Sequence, residues 1–261
     1  GLRILRLCGT GMSGEVCLEK LPTSLCDLDI SDNELEGRVN FSEITQTLET
    51  LIMSGNQLEG KVDLTNLPPH LGLLDISDND FSGSVDLTKL GPENCCLILS
   101  SNSFRGPVDL TKLPLTMENL ELKHNEFSGH VNLSQLPSRL VELDLGFNDF
   151  SGKVHLENIP PRVEILDLSY NRFTGVCRIG ELPEGIDALR LEGNRFERYE
   201  VTHPESAPED MTELNVDIWK GLTVQDRQTG GVSFVKKRET CNILENLRRL
   251  RESNLQTLSF S

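Results

Sequence analysis

The chain lacks an excess of positive charge, clustered cysteines, any long apolar run and any recurring group of catalytic side chains. Acidic residues outnumber basic ones 41 to 25, for a net charge of −16 in 261 residues. Up to residue 204 the balance is 32 acids to 17 bases, or −15, and the remainder carries −1. Binding to a phosphate backbone depends on cationic side chains, so nucleic acid is not an expected partner. No apolar run approaches the roughly 20 residues of a membrane span, so no membrane span is expected. The chain begins at Gly1 rather than methionine, which implies a removed leader or upstream region. The seven cysteines, Cys8, Cys17, Cys26, Cys95, Cys96, Cys177 and Cys241, are scattered singly or as one adjacent pair. An odd, dispersed set points to reduced thiols and an intracellular protein. Against this stand two glycosylation sequons, Asn40-Phe41-Ser42 and Asn132-Leu133-Ser134. The five histidines fall in unrelated positions with no Cys–His or Ser–His–Asp grouping, so the chain reads as a non-enzyme with no catalytic residues.

What is present is a period. Asn33, Asn56, Asn79, Asn102, Asn125, Asn148, Asn171 and Asn194 recur every 23 residues without insertion, and Thr10 takes the same slot in the first unit. Around each slot the pattern is LxxLxLxxNxFxGxVxLxxLP. In the sixth unit it is carried by Met117, Leu120, Leu122, Asn125, Phe127, Gly129, Val131, Leu133, Leu136 and Pro137. A fixed period in the range of about 20–29 residues with this leucine spacing is the signature of a stacked solenoid. The alternating LxL stretch reads as a half-buried strand that pairs with its neighbours in a parallel sheet. At about 4.8 Å per unit, nine or ten units give a sheet roughly 40–45 Å across. The asparagine amide has donors and an acceptor for the turn leaving the sheet. Phe81, Phe104, Phe127, Phe150, Phe173 and Phe196, with Leu35 and Leu58 in the same slot, should stack as a buried spine. The repeat glycines permit a positive φ, and the following Val-x-Leu reads as a short second strand before the Leu-Pro bend.

On these residues the chain resembles the leucine-rich repeat family, closest to the receptor-type repeats of plants and some protists in its Asn-x-Phe-Ser-Gly-x-Val portion. It departs from the plant pattern where Ile-Pro follows the glycine, for here that slot is Val-Asp or Val-Asn. The resemblance implies a curved right-handed coil, an α/β-type but mostly β solenoid, whose parallel concave sheet binds partners. It implies no chemistry. The expected organisation is a solenoid of nine 23-residue units over residues 1–204 and a C-terminal cap over 205–261. In that cap Met211-x-x-Leu214-x-Val216 resumes the strand pattern at a 25-residue interval, with Trp219 covering the open end of the core. A hairpin follows around Gln228-Thr229-Gly230-Gly231. Ile243, Leu244, Leu247 and Leu250 then mark an amphipathic helix.

Two motifs carry no function here. Gly9-Thr10-Gly11-Met12-Ser13-Gly14 has nucleotide-loop spacing, but no helical pattern follows to hold a pyrophosphate, so no cofactor is expected. The acidic groups Asp27, Asp29, Asp32 and Asp75, Asp78 read as isolated solvent-facing carboxylates rather than a metal site. The candidate partner-binding face is read from the exposed strand positions. Its central column contributes Asp29, Asp75, Glu121, Asp144, Asp167 and Arg190, and the column beside the asparagines contributes His124, Phe147 and Tyr170. Exposed aromatics beside carboxylates are what an interface hot spot contains; the alternative of equal weight is that these rings cover the asparagine ladder at the sheet margin. The leading expectation is a protein-interaction scaffold whose acidic concave sheet binds a protein of basic or mixed charge. The alternatives are a ligand-binding ectodomain of a cell-surface receptor and an accessory repeat region of a larger protein. The first unit has Leu2, Leu5, Leu7, Val16, Leu18 and Leu21 in core slots with no capping segment before them, which adds an expectation of self-association through the N-terminal end, or of further repeats or a cap upstream.

Overall fold

Each 23-residue unit forms one turn of a coil, because its two leucines and its phenylalanine can reach a common interior only if the backbone returns to the same place every unit. The computed structural model describes residues 1–203 and 211–216, together with the strands Leu222–Gln225 and Val232–Val235. A ten-stranded sheet runs in strict sequence order from Ile4–Arg6 to Glu213–Asn215, with every neighbouring pair parallel. Register is set by the repeat: Leu28 lies opposite Leu51, Leu74, Leu97, Leu120, Leu143, Leu166 and Leu189 in turn. A slip of one residue would carry each leucine from the core to the outer face. The tenth strand keeps that register, Leu189 opposite Leu214, despite the 25-residue step in sequence.

A second, twelve-stranded sheet lies beyond the asparagines and is also parallel until its last pair. Its strands begin just after each asparagine, as in Gln57–Gly60, Asp80–Gly83, Ser103–Gly106 and Glu126–His130. The second strand is therefore centred on the phenylalanine slot, and not on Val-x-Leu as the residue pattern implied. Val-x-Leu instead leads into single 3-10 turns, Phe41–Glu43, Leu64–Asn66, Leu87–Lys89 and Leu110–Lys112. The reason is a cap: Asn40, Asp63, Asp86 and Asp109 each accept a hydrogen bond from the N–H two residues on. Where that slot holds His155 or Arg178 no such cap forms, and the backbone pairs as strand, in His155–Asn158 and Arg172–Glu181. These turns, with Leu18–Lys20 in the first unit, where Cys17 supplies no side-chain cap, are the helical content of the described residues.

Between the sheets the phenylalanines form the expected spine. Phe81, Phe104, Phe127, Phe150, Phe173 and Phe196 stack with centroids 6.0–6.4 Å apart and planes 5–13° from parallel. All but Phe196 are completely buried. The asparagines bolt one turn to the next. Asn125 donates through Nδ2 to the carbonyls of Leu122 and Lys123 in its own turn and of Leu99 in the preceding one. Its Oδ1 accepts from the Phe104 N–H at 2.9 Å. The repeat glycine after each phenylalanine has a positive φ, and at Gly152 (φ 88) a Cβ would also meet the His130 ring at 2.0 Å. Gly9, Gly11 and Gly14 lie in the same turn-and-strand setting, so the Gly-rich segment runs directly into the strand Ser13–Glu15 and not into a helix. At the first unit Leu2 and Ile4 are exposed. Leu222–Gln225 and Val232–Val235 make an antiparallel pair at the end of the second sheet. Trp219 and the amphipathic helix read from Ile243 to Leu250 lie outside the described residues.

Candidate partner-binding face

The outer face of the ten-stranded sheet carries the residues between the two buried leucines of each turn. Asp29, Asp75, Glu121, Asp144, Asp167 and Arg190 are brought into one column by the register. They are not equally available. Asp29 Oδ1 accepts from the N–H and hydroxyl of Ser31, and Asp75 does the same with Ser77 and Asp167 with Ser169. Asp144 Oδ1 accepts from the Gly146 N–H. Asp144 and Asp167 are only 4% and 7% exposed. Solvent-facing carboxylates were expected at these two positions. Alternation gives the face a side chain points to but not its depth, and here the carboxylates fold back to tie the turn that leaves the sheet. Arg190 is also engaged, through Nε to Glu213 at 2.8 Å and NH1 to Asp167 at 3.6 Å.

The column beside the asparagines is different in kind. His124, Phe147 and Tyr170 stack, with centroids 4.3 Å apart between the first two rings and 4.4 Å between the last two. Phe147 is 42% exposed and Tyr170 50%. All three have left-handed backbones, φ 52, 53 and 50, as do Asp32, Asp78 and Ser101, while Gly9, Gly55 and Gly193 fill the slot elsewhere. The turn demands this conformation in every unit. Glycine meets it without strain, asparagine and aspartate tolerate it, and a bulky aromatic there is an outlier. The Tyr170 ring leans over Gly193, where an added Cβ would come within 2.7 Å of it. Three large rings held side by side in strained slots, with their edges in solvent, are poorly explained as cover for the asparagines. Asn56 and Asn79 are equally buried beside a glycine and an aspartate.

Charge concentrates next to these rings. Glu121, Glu142, Asp144, Asp167, Glu192 and Glu213 face only Lys123 and Arg190 on the adjoining strands among the described residues. Lys123 reaches Asp144 at 3.3 Å. Burial pushes the Glu121 carboxyl above its ordinary range, and neighbouring Glu142 adds to the rise. Burial and then Asp144 do the same to Glu142. Asp144 is raised by burial despite the Gly146 N–H. Burial also raises Glu192, whose Oε2 is enclosed and has no hydrogen-bond partner among the described residues. Burial alone would lower the Lys123 ammonium, but Asp144, Glu121 and Glu142 raise it overall. Glu142 and Glu192 were missed from the sequence because they precede and follow the LxL core of their units. Collecting those flanking columns at the same period would have found them. The arrangement offers apolar ring edges next to under-neutralised carboxylates.

No family profile matches the chain, and no curated protein matches it. Solved structures do. The ectodomain of the Arabidopsis receptor kinase HAESA, in complex with an extended IDA peptide hormone, superposes with a TM-score of 0.63 at 26% identity, covering 85% of this chain and 38% of that one. The coil is of the leucine-rich repeat type. The leucine-rich repeat coil also matches the plant peptide hormone receptor RGFR1 bound to RGF2 (TM-score 0.57, 22% identity, 82% of this chain and 39% of that one). A plant ice-binding protein matches with a TM-score of 0.60 at 22% identity, over 75% of this chain and 65% of that one. The last two likenesses show the fold alone. The chain spans about two fifths of the length of the receptors it matches. The expectation of an intracellular protein is overturned by the HAESA structure, matched at 26% identity, which is the ectodomain of a receptor kinase. The cysteines misled because their positions follow the slots of the repeat and not a redox compartment. Cys177 replaces a core side chain and is buried, which pushes its thiol up to about 12. Cys95 and Cys96 are chain neighbours, and Cys96 lies in the strand Cys96–Ile98, where successive side chains point to opposite faces. No described helix is long and apolar enough to cross a membrane.

Proposed function

We propose that this protein is a non-catalytic recognition module outside the cell that binds an extended, basic peptide segment across its ten-stranded sheet, as a receptor ectodomain does. The aromatic ladder His124–Phe147–Tyr170 carries this reading. Three exposed rings occupy left-handed slots that the repeat fills elsewhere with small or acidic residues, and strain of that kind is kept where it serves binding. Ring edges supply the apolar anchor of a hot spot. Glu121 and Glu142 supply the charge: each is half-buried, lacks an ion pair among the described residues, and gains from a neighbouring cation. A lysine or arginine suits both halves at once, its methylene stem lying along the rings and its head reaching the carboxylates. Asp29, Asp75, Asp144, Asp167 and Arg190 complete the face, chiefly by orienting it. The HAESA ectodomain, the structure matched at 26% identity, is itself seen with a peptide hormone, which supports the same class of ligand here.

The test is selection from a displayed library of random dodecapeptides. Selected peptides should carry Arg or Lys at a fixed position, and Phe147→Ala with Tyr170→Ala should weaken their binding by about 2 kcal/mol or more, roughly 30-fold. The double variant should keep its circular dichroism and thermal midpoint. Peptides that bind the double variant as well as the parent would remove this face from consideration.

A further inference from the structure

Five successive turns share one corner just beyond the second sheet: Asn40-Phe41-Ser42, Asp63-Leu64-Thr65, Asp86-Leu87-Thr88, Asp109-Leu110-Thr111 and Asn132-Leu133-Ser134. In each, Oδ1 of the first residue accepts from the N–H of the third at 2.9–3.1 Å and from its hydroxyl at 2.6–2.7 Å. The middle residue plugs into the core. The Thr hydroxyls hold the carboxyls of Asp63, Asp86 and Asp109 below the usual range, so the oxygen is the part of the side chain the corner requires. Two of the five corners use asparagine. Both Asn40 and Asn132 are exposed, and neither Nδ2 makes a hydrogen bond among the described residues. Each presents an unused amide nitrogen with a hydroxyl two residues on, which is the acceptor pattern for N-linked glycosylation.

We propose that Asn40 and Asn132 carry N-linked glycans, an inference that rests on the extracellular reading above. The donor class is an oligosaccharide held through its anomeric carbon on a lipid pyrophosphate. The Nδ2–C1 bond forms, the C1–O bond to the pyrophosphate breaks with its electron pair going to that leaving group, and the amide gives up one proton. Because Oδ1 alone caps the turn, the attached sugar costs the fold no hydrogen bond. The two sites lie four turns apart, about 19 Å at the spacing of parallel strands. The three corners between them carry aspartate, which has no nitrogen to modify. The corner follows the second sheet and the aromatic column precedes it, so both glycans project from a flank of the coil away from the ladder and leave that face open to a partner.

Secretion of the full chain from cultured eukaryotic cells behind a host leader tests this directly, with peptide mapping after glycosidase release in heavy-oxygen water. Both asparagines should convert to labelled aspartate, in medium or in any chain retained in the cells. Asn40→Asp and Asn132→Asp should each remove one glycan and, compared as unglycosylated protein, keep the thermal midpoint of the asparagine parent, because sister turns already use aspartate. Asn40→Ala should remove the glycan and also lower that midpoint. Unmodified Asn40 and Asn132 in chain recovered from this route would overturn the inference, as would Asp variants as unstable as Ala. Neither outcome bears on peptide binding, which the library selection reads separately on unglycosylated protein.

Discussion

Replacing Asn125 with alanine isolates what joins one turn of this coil to the next. Its side chain makes four hydrogen bonds, three through Nδ2 and one through Oδ1. All three carbonyls it serves keep another donor: Leu99 still accepts from Asn102 Nδ2, Leu122 from Asn148 Nδ2 and Lys123 from the Ser101 N–H. One group is stranded. The Phe104 N–H loses its acceptor, on a residue that is completely buried. A buried group left unpaired costs about 1–3 kcal/mol. Each carbonyl also loses one of its two bonds, but Asn125 itself is part-exposed and water can reach the vacated space, which places the expected loss near roughly 2 kcal/mol. Asn171, only 5% exposed, should cost more. Urea unfolding followed by far-ultraviolet circular dichroism measures this, with Lys153→Ala as a silent surface control. Asn125→Asp is a second control: it keeps Oδ1 but turns a second oxygen toward the carbonyls, so it should rescue nothing at pH 7. A loss below about 1 kcal/mol for Asn125→Ala, or rescue by Asp, would mean that the ladder does not hold the turns together.

Three further outcomes follow from the same structure. Phe147→Gly should leave stability unchanged or raise it by under about 1 kcal/mol, since glycine suits φ 53, while binding of selected basic peptides falls. A clearly less stable variant would make the rings structural cover. Glu142→Gln should raise the thermal midpoint at pH 7. The carboxyl is raised in the fold, so its contribution is full below the ordinary value of 4.5 and is lost as pH rises through the raised value. The neutral isostere removes that loss, and a parent whose midpoint does not fall over this window relative to the variant would refute the burial argument. Phe127→Ala should cost about 3–5 kcal/mol by calorimetry or denaturant, because it opens the spine between Phe104 and Phe150, and a loss under 1 kcal/mol would deny the stack its role.

The repeat itself was legible in the residues. A slot that recurs every 23 residues must sit in the same surroundings in every turn, so Leu28, Phe127 and Asn125 declared core, spine and ladder by period alone. The same logic could have exposed the left-handed column, since Gly9, Gly55 and Gly193 share a slot with Phe147 and Tyr170. Competition between local hydrogen bonds was harder to read. Val-x-Leu has strand character, but an Asx side chain just before the leucine captures the next N–H groups and winds the chain into a turn. His155 and Arg178 cannot, and there the strand wins. Depth was a tertiary matter altogether. Asp144 and Glu121 share a column and a charge, yet one is buried against the Gly146 N–H and the other is left half-open, because only the stacked neighbours decide how much water reaches each side chain. Sequence thus determined the coil, its period and its core, which depend on one slot repeated. The packing of unlike turns decided which carboxylates are spent on the fold and which, beside three strained rings, face a partner.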